Sequence, residues 1–261
     1  MNESQNQLRN RVAIVTGATA GIGKSLVEKL VSNGVRCLAV GRRASRLEAL
    51  GASLGNARFQ AVATDIREAN SPDEILKALP ADWAMPDLLI NNAGLALGIA
   101  PAIDCQLSDW LTMIDTNIAG LVRLTHRFLP SLVSAPRADI INLSSIAATY
   151  PYPGGNVYGA TKAFVRQFSL GLRADLLGTN VRVSSIEPGM CETEFSIVRN
   201  GGDESRAKSV YAGMSPLTPD DIASLVLSVL SLPAHVNINS IEVMPTQQAF
   251  SALSVHRDQS M

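Results

Sequence analysis

Tyr158 and Lys162 stand four residues apart, so on a helix they share one face. A free tyrosine, with a pKa of about 10, is a poor base at neutral pH. A neighbouring ammonium favours the phenolate and brings it closer to the working range. Such a pair can take the proton of an alcohol as hydride leaves, and return one to a carbonyl in the reverse direction. Ser145 closes a short apolar run and is placed to hydrogen-bond the reacting oxygen. Read alone, Tyr158 and Lys162 also fit an ordinary amphipathic helix with an exposed pair. Ser145 and a glycine-rich loop upstream favour the chemical reading.

That loop is Thr16-Gly17-Ala18-Thr19-Ala20-Gly21-Ile22-Gly23, between the first apolar run and the first helical stripe. Glycines let the backbone turn sharply and approach a pyrophosphate, and a helix N-terminus supplies amide donors. The spacing is GxxxGxG rather than GxGxxG, so a plain strand-to-helix turn is the competing reading. Its position at a first βα turn points to a dinucleotide. The second strand ends Val40-Gly41-Arg42-Arg43, with no acid to take a ribose 2′-hydroxyl. Two guanidinium groups suit a 2′-phosphate instead, which makes NADP the expected cofactor; a solvated basic loop is the alternative.

The elements that must position these residues alternate. Apolar runs at 12–15, 35–40, 59–63, 88–90, 140–143, 181–186 and 238–243 read as strands. Helical patterns lie between them: 21–31, 45–54, a helix opening at Ser71-Pro72, a long tract from a capping Ser108 through His126, 157–177, and a helix opening at Thr218-Pro219. Alternation of this kind implies parallel βαβ units, hence an α/β class and a single doubly wound (Rossmann) domain with a mainly parallel seven-stranded sheet. The domain is expected over 11–245, between a polar N-terminal tail, 1–10, and a C-terminal tail, 246–261. The stretch 199–215 reads as the most loop-like interior segment. In the 157–177 helix, Phe164, Phe168, Leu172 and Leu176 recur every fourth residue and predict an apolar face toward the sheet.

Composition limits the alternatives. The 261 residues are 46% hydrophobic and 17% charged, which suits a folded domain with one large core. A net charge of −1 argues against a nucleic-acid or anionic-membrane binder. No apolar run is long enough to span a bilayer, and the polar start lacks a secretory h-region. Cys37, Cys105 and Cys191 are too few and too scattered for a disulfide framework or a zinc site, and fit a reducing, cytoplasmic setting. His126, His235 and His256 make no metal pattern, so no metal is expected. Trp83 and Trp110 read as packing anchors.

Taken together, the motifs resemble the short-chain dehydrogenase/reductases over nearly the whole chain. Thr16 to Gly23 is similar to that family's cofactor loop, Asp65, followed by Ile66, to its adenine-contacting acid, and Asn91-Asn92-Ala93-Gly94 to its fourth-strand motif. Asn117, Ser145, Tyr158 and Lys162 match its catalytic tetrad. Pro188-Gly189, with Thr193, matches the segment that holds the nicotinamide. The resemblance implies that Lys162 also binds the nicotinamide ribose, that Asn117 holds a water linking Lys162 to solvent, and that the chain forms a homotetramer. It extends to NADP-dependent enzymes acting on serine and other 3-hydroxy acids, through Asn91 to Gly98, Gly154 to Phe164, Cys191 to Phe195 and Leu232 to Asn239. Sulfoacetaldehyde reductases share much of that pattern, so the expected substrate is a small anionic hydroxy acid or a sulfonate. Such an anion needs a cation or donors beyond the reactive carbon. Arg199 is the first candidate, in a segment that could close over substrate, and Tyr152 and Gln248 are the others. A non-catalytic NADP(H) sensor would show an eroded tetrad, whereas all four positions are filled.

Overall fold

The computed structural model describes residues 8–55 and 57–249. Residues 1–7 of the expected N-terminal tail, 250–261 of the C-terminal one, and His256 lie outside the described residues. Leu8, assigned from its sequence to the polar tail, is buried in the core.

Seven strands form one sheet: β1 (Val12–Thr16), β2 (Arg36–Gly41), β3 (Phe59–Ala63), β4 (Leu88–Asn91), β5 (Ala138–Leu143), β6 (Val181–Pro188) and β7 (Ser240–Val243). Their order is β3-β2-β1-β4-β5-β6-β7 and every pairing is parallel. Strand order reverses between β1 and β4, and ligands in open α/β sheets bind at the carboxyl ends beside such a reversal. The near-continuous apolar strands follow from burial on both faces. One face packs against α1 (Gly21–Ser32), α2 (Ala44–Leu54) and α9 (Pro219–Leu230). Helices α3 (Ser71–Lys77), α5 (Leu121–Ser134) and α6 (Asn156–Asp175) cover the other. Trp83 packs against that second core and Trp110 against a smaller cluster around Tyr158.

Three expectations need correction. The tract from Ser108 is not one helix. It comprises α4 (Leu107–Ile114), a π-helical turn (Asp115–Gly120) and α5. Helix α4 starts one residue before Ser108 with Gln106 at its N-cap, so Ser108 falls inside the first turn. The segment 199–215 is also less loop-like than its composition suggests. Arg199 ends a short helix, α7 (Glu194–Arg199), and α8 (Glu204–Ser209) follows, capped by Asp203, which accepts from the Arg206 amide.

The third correction concerns one residue of α6. Leu172 and Leu176 are buried and Phe168 packs against the same core, as the four-residue spacing predicts, while Phe164 stays 37% exposed and stacks on Phe168. Tyr158, Thr161, Lys162, Val165 and Ser169 complete the buried face, held by polar anchors. Ser169 Oγ accepts from Asn142 Nδ2 at 2.9 Å, and Lys162 Nζ donates to the Leu143 carbonyl at 2.8 Å. Both bonds turn the face bearing Tyr158 and Lys162 to the sheet.

Candidate active site

The carboxyl ends of the strands open on a cavity of about 620 Å³. Its floor is the glycine loop. Gly17 has φ +68°, and a Cβ there would stand 2.8 Å from Asn92 Nδ2. A Cβ on Gly23 would run into the Gly17 carbonyl, so α1 can start this close to β1 only with glycine there. Asn92 ties the β4 end to the loop: its Nδ2 donates to the Thr16 carbonyl at 2.8 Å, and the amides of Asn92 and Ala93 both donate to Thr16 Oγ1 at 3.0 Å. Ala20, the N-cap of α1, makes no side-chain cap bond. The loop is thus a bare concavity of amides at a helix N-terminus, which fits a pyrophosphate.

Gly17, Thr19, Gly21, Ile22, Arg42, Arg43, Asn92, Ala93 and Gly94 line the cavity together, although they come from three βα connections. Pro188, Gly189 and Thr193 line it from beyond β6, with Thr193 Cγ2 only 3.2 Å from where a Gly21 Cβ would be. Gly23 lies beneath this surface. Asp65 and Ile66 are off it. Asp65 is engaged by Arg67, whose Nη2 donates at 2.6 Å, and more distantly by Arg42 at 3.8 Å. The hydrogen bond from Arg67 leads the effects that hold the Asp65 carboxyl below the usual carboxylate range. Ile66 packs in the core beneath Gly120.

Ser145, Tyr158 and Lys162 meet on the opposite wall. Ser145 follows β5, and its Oγ accepts from the Ala147 amide at 3.1 Å, which fixes its rotamer. Lys162 Nζ lies 5.8 Å from the Tyr158 ring centroid. Both side chains are buried, and burial disfavours the charged form of each. Burial pushes the Tyr158 phenol up, against a hydrogen bond with Ser145 and the charge of Arg199, which pull it down. Burial lowers the Lys162 ammonium to about 8. Desolvation is the largest influence on the phenol, and Arg199 is the cation whose charge opposes it.

Asn117 does not face the cavity. The π turn directs it inward, where its Oδ1 accepts from the Leu95 amide at 2.9 Å and its Nδ2 donates to Thr161 Oγ1 at 3.0 Å. A Cβ on Gly94 would be 3.2 Å from both Asn117 Oδ1 and Lys162 Nζ, so the bare Gly94 backbone lets the two converge.

At the far end, the Arg199 guanidinium lies 5.0 Å from the centroid of the Tyr152 ring. Its Nε is buried without a hydrogen-bond partner among the described residues. Gln248 also reaches the cavity, but its Oε1 accepts from the Met190 amide at 2.8 Å and braces the turn after β6. Sequence reasoning assigned no role to Glu194, Phe195 and Tyr211, which line the cavity too. Phe195 packs on Tyr158 with ring centroids 5.5 Å apart. Tyr211 OH donates to the Cys191 carbonyl at 2.9 Å and pairs with Ser196 Oγ at 2.6 Å, fastening α7 to the chain around it. These partners lie too far apart in sequence for spacing to disclose them.

Comparison with known proteins agrees with this geometry. Residues 11–202 match the family model described as short chain dehydrogenase. The chain is 53% identical over 245 residues to a serine 3-dehydrogenase of Agrobacterium fabrum, covering 94% of this chain and 98% of that protein. It is 52% identical over 247 residues to an NADP-dependent 3-hydroxy acid dehydrogenase of Salmonella typhi, covering 94% of this chain and 99% of that one. Among solved structures, the closed form of serine dehydrogenase complexed with NADP+ superposes with a TM-score of 0.92 at 49% identity, covering 95% of this chain and all of that one. With a glycine cradle, a Ser-Tyr-Lys cluster and relatives of this kind matched over almost their full lengths, the chain belongs to the short-chain dehydrogenase family.

Proposed function

We propose that this protein is an NADP-dependent oxidoreductase that moves a hydride between the cofactor and the hydroxyl carbon of serine or a related 3-hydroxy acid. The observation that carries this reading is one cavity lined both by the glycine loop with Arg42 and Arg43 and by Tyr158, Ser145 and Arg199. Relatives matched over almost their full lengths carry names that concern serine and 3-hydroxy acids, and one solved relative is complexed with NADP+.

The residues fit that cofactor. The loop of Gly17, Gly21 and Gly23 suits the pyrophosphate, Asn92 to Gly94, Pro188, Gly189 and Thr193 flank the nicotinamide end, and Arg42 and Arg43 suit a 2′-phosphate. When bound, the nicotinamide accepts or donates the hydride. Tyr158 carries the proton. With its phenol raised by burial it stands protonated at neutral pH, ready to donate to a carbonyl. Ser145 hydrogen-bonds the same oxygen and orients it toward Tyr158. In the oxidative direction, the charge of Arg199 favours the phenolate as the alcohol proton arrives. Arg199 holds the substrate anion through its guanidinium, which lines the cavity, and Tyr152 supports the guanidinium through its ring. Asn117 acts behind Lys162 rather than on substrate.

A homotetramer is part of the same proposal. Leu107, Leu111 and Ile114 on α4 and Phe164 on α6 remain exposed on helices that pack side by side, an apolar face suited to other copies of the chain.

The test is turnover followed by the near-ultraviolet absorbance of reduced nicotinamide. The panel is both serine enantiomers, L-allo-threonine, 3-hydroxypropionate, 3-hydroxyisobutyrate and isethionate, each with NADP+ and NAD+. Preference for hydroxy acids with NADP+ is expected. Activity on isethionate alone would move the substrate to the sulfonates, and equal use of NAD+ would overturn the cofactor assignment.

A further inference from the structure

Helix α7 is six residues long; its first residue pairs with Arg43 and its last lies against the Tyr152 ring, and all four residues line the cavity. Glu194 Oε2 accepts from Arg43 Nη1 at 2.7 Å, and its Oε1 accepts from Arg46. The other edge of the Arg43 guanidinium, Nε and Nη2, donates to Thr19 Oγ1 at 3.1 and 2.8 Å. Thr19 belongs to the glycine loop. Arg43 is therefore held from behind by a carboxylate, with its two-nitrogen edge turned toward the cofactor loop. A phosphate can take that edge bidentately by displacing Thr19 Oγ1, the single neutral acceptor now on it.

The side chains of Arg43, Arg46 and Glu194 are 43%, 45% and 38% exposed. Ion pairs this exposed contribute little to stability. What they do is restrict position. A long exposed arginine samples many rotamers, and ordering it on binding costs affinity that a preset side chain does not lose.

We propose that Glu194 is a positioning residue for cofactor selection: it presets Arg43 for the 2′-phosphate and so helps the site prefer NADP(H) to NAD(H). The proposal rests on the reading above that Arg42 and Arg43 face that phosphate. Glu194 touches neither substrate nor the reacting atoms, and its effect is confined to the phosphorylated cofactor.

The experiment measures dissociation constants of NADPH and NADH by nucleotide fluorescence, without turnover, together with melting temperature. The full-length variants are Glu194→Gln, Glu194→Ala, Glu194→Asp and the double variant Arg42→Ala/Arg43→Ala. Glu194→Gln is expected to weaken NADPH by about 5- to 10-fold and NADH by less than about twofold, with Glu194→Ala similar or worse and Glu194→Asp recovering part of the loss. Unchanged or tighter NADPH binding would overturn the proposal, the latter because Glu194 would then compete with the phosphate for Arg43. Equal weakening of both cofactors, or a fall in melting temperature with no change in their ratio, would leave only a structural tie. The double arginine variant separates the two readings. If it loses NADPH selectivity while Glu194→Gln keeps it, the phosphate site stands and the role of Glu194 falls. If it weakens both cofactors equally, the phosphate site itself is misplaced.

Discussion

Tyr158 and Lys162 are both buried, and burial pushes both toward their neutral forms. Removing the phenol should therefore remove the proton and little else. Tyr158→Phe is expected to lower turnover by ~100-fold or more while leaving the NADPH dissociation constant within about twofold, as read from steady-state rates and fluorescence titration. Activity near wild type would take Tyr158 out of the acid/base role. Lys162 predicts a pH effect on stability. Its folded pKa, about 8, lies below its ordinary value of 10.5, so the unfolded chain binds more protons between those limits. Stability should rise with pH across that window and bear the full burial penalty below it. Cys37 and Tyr158, raised by burial, act in the opposite sense at higher pH. The difference between wild type and Lys162→Met isolates the lysine. Urea unfolding from pH 7.5 to 9.5 should show that difference change by at most about 1.4 kcal/mol per pH unit. A pH-independent difference would mean that Lys162 keeps its ordinary titration.

Elements carry the site through their ends. The cofactor loop sits where β1 passes into α1, Ser145 just beyond β5, and Tyr158 and Lys162 in the first turns of α6. Caps are where local sequence acts most directly. At α9, Thr218 Oγ1 accepts from the Asp221 amide at 3.2 Å while Asp221 Oδ2 accepts from the Thr218 amide at 2.8 Å, a full capping box with Pro219 in the first turn. Thr218→Ala should cost about 1 kcal/mol in denaturant unfolding and leave kinetic constants unchanged, since α9 packs on α1 away from the catalytic wall. A kinetic change without a stability change would show that α9 bears on the site. This helix start was legible from Thr218-Pro219-Asp220-Asp221 alone. The start of α4 was not, because Gln106 makes no side-chain cap and nothing local marks it.

Across the whole molecule, the ends of the sheet opposite the cavity are pinned by two carboxylates, the more buried Asp139 and Asp87. Asp139 is buried and accepts from Arg11 Nη1 at 2.6 Å and Arg182 Nε at 2.7 Å, joining the residue before β1 to β5 and β6. Leaving two buried guanidinium groups without it is expensive. Asp139→Asn should lose about 3–5 kcal/mol in equilibrium unfolding, far more than an exposed ion pair such as Lys24 with Glu28 would. A loss under about 1 kcal/mol would show that the neighbouring Asp87 takes over the pairing. The pin lets the opposite ends of the strands carry glycine turns and open loops while the sheet stays in register.

Local sequence determined a great deal of this protein. Alternating apolar runs and helical stripes specify parallel βαβ units, because a strand covered on both faces has no room for polar alternation. Gly17, Gly21 and Gly23 mark the strand-to-helix glycine loop, Arg42 and Arg43 mark the end of β2 that meets it at the cavity, and the four-residue interval from Tyr158 to Lys162 places both on one helical face. Such signals act over one or two turns of chain and survive in a string of letters. Tertiary structure decided the rest. It turned α6 so that Ser169 and Lys162, not Phe164, meet the sheet. It buried Tyr158 and Lys162, so that desolvation outweighs the groups that pull the phenol down. It took Asn117 behind the site and spent the Gln248 oxygen on Met190. It also brought Glu194 to Arg43 across 151 positions of sequence. Desolvation and long-range pairing depend on which surfaces meet, and no interval along the chain encodes that.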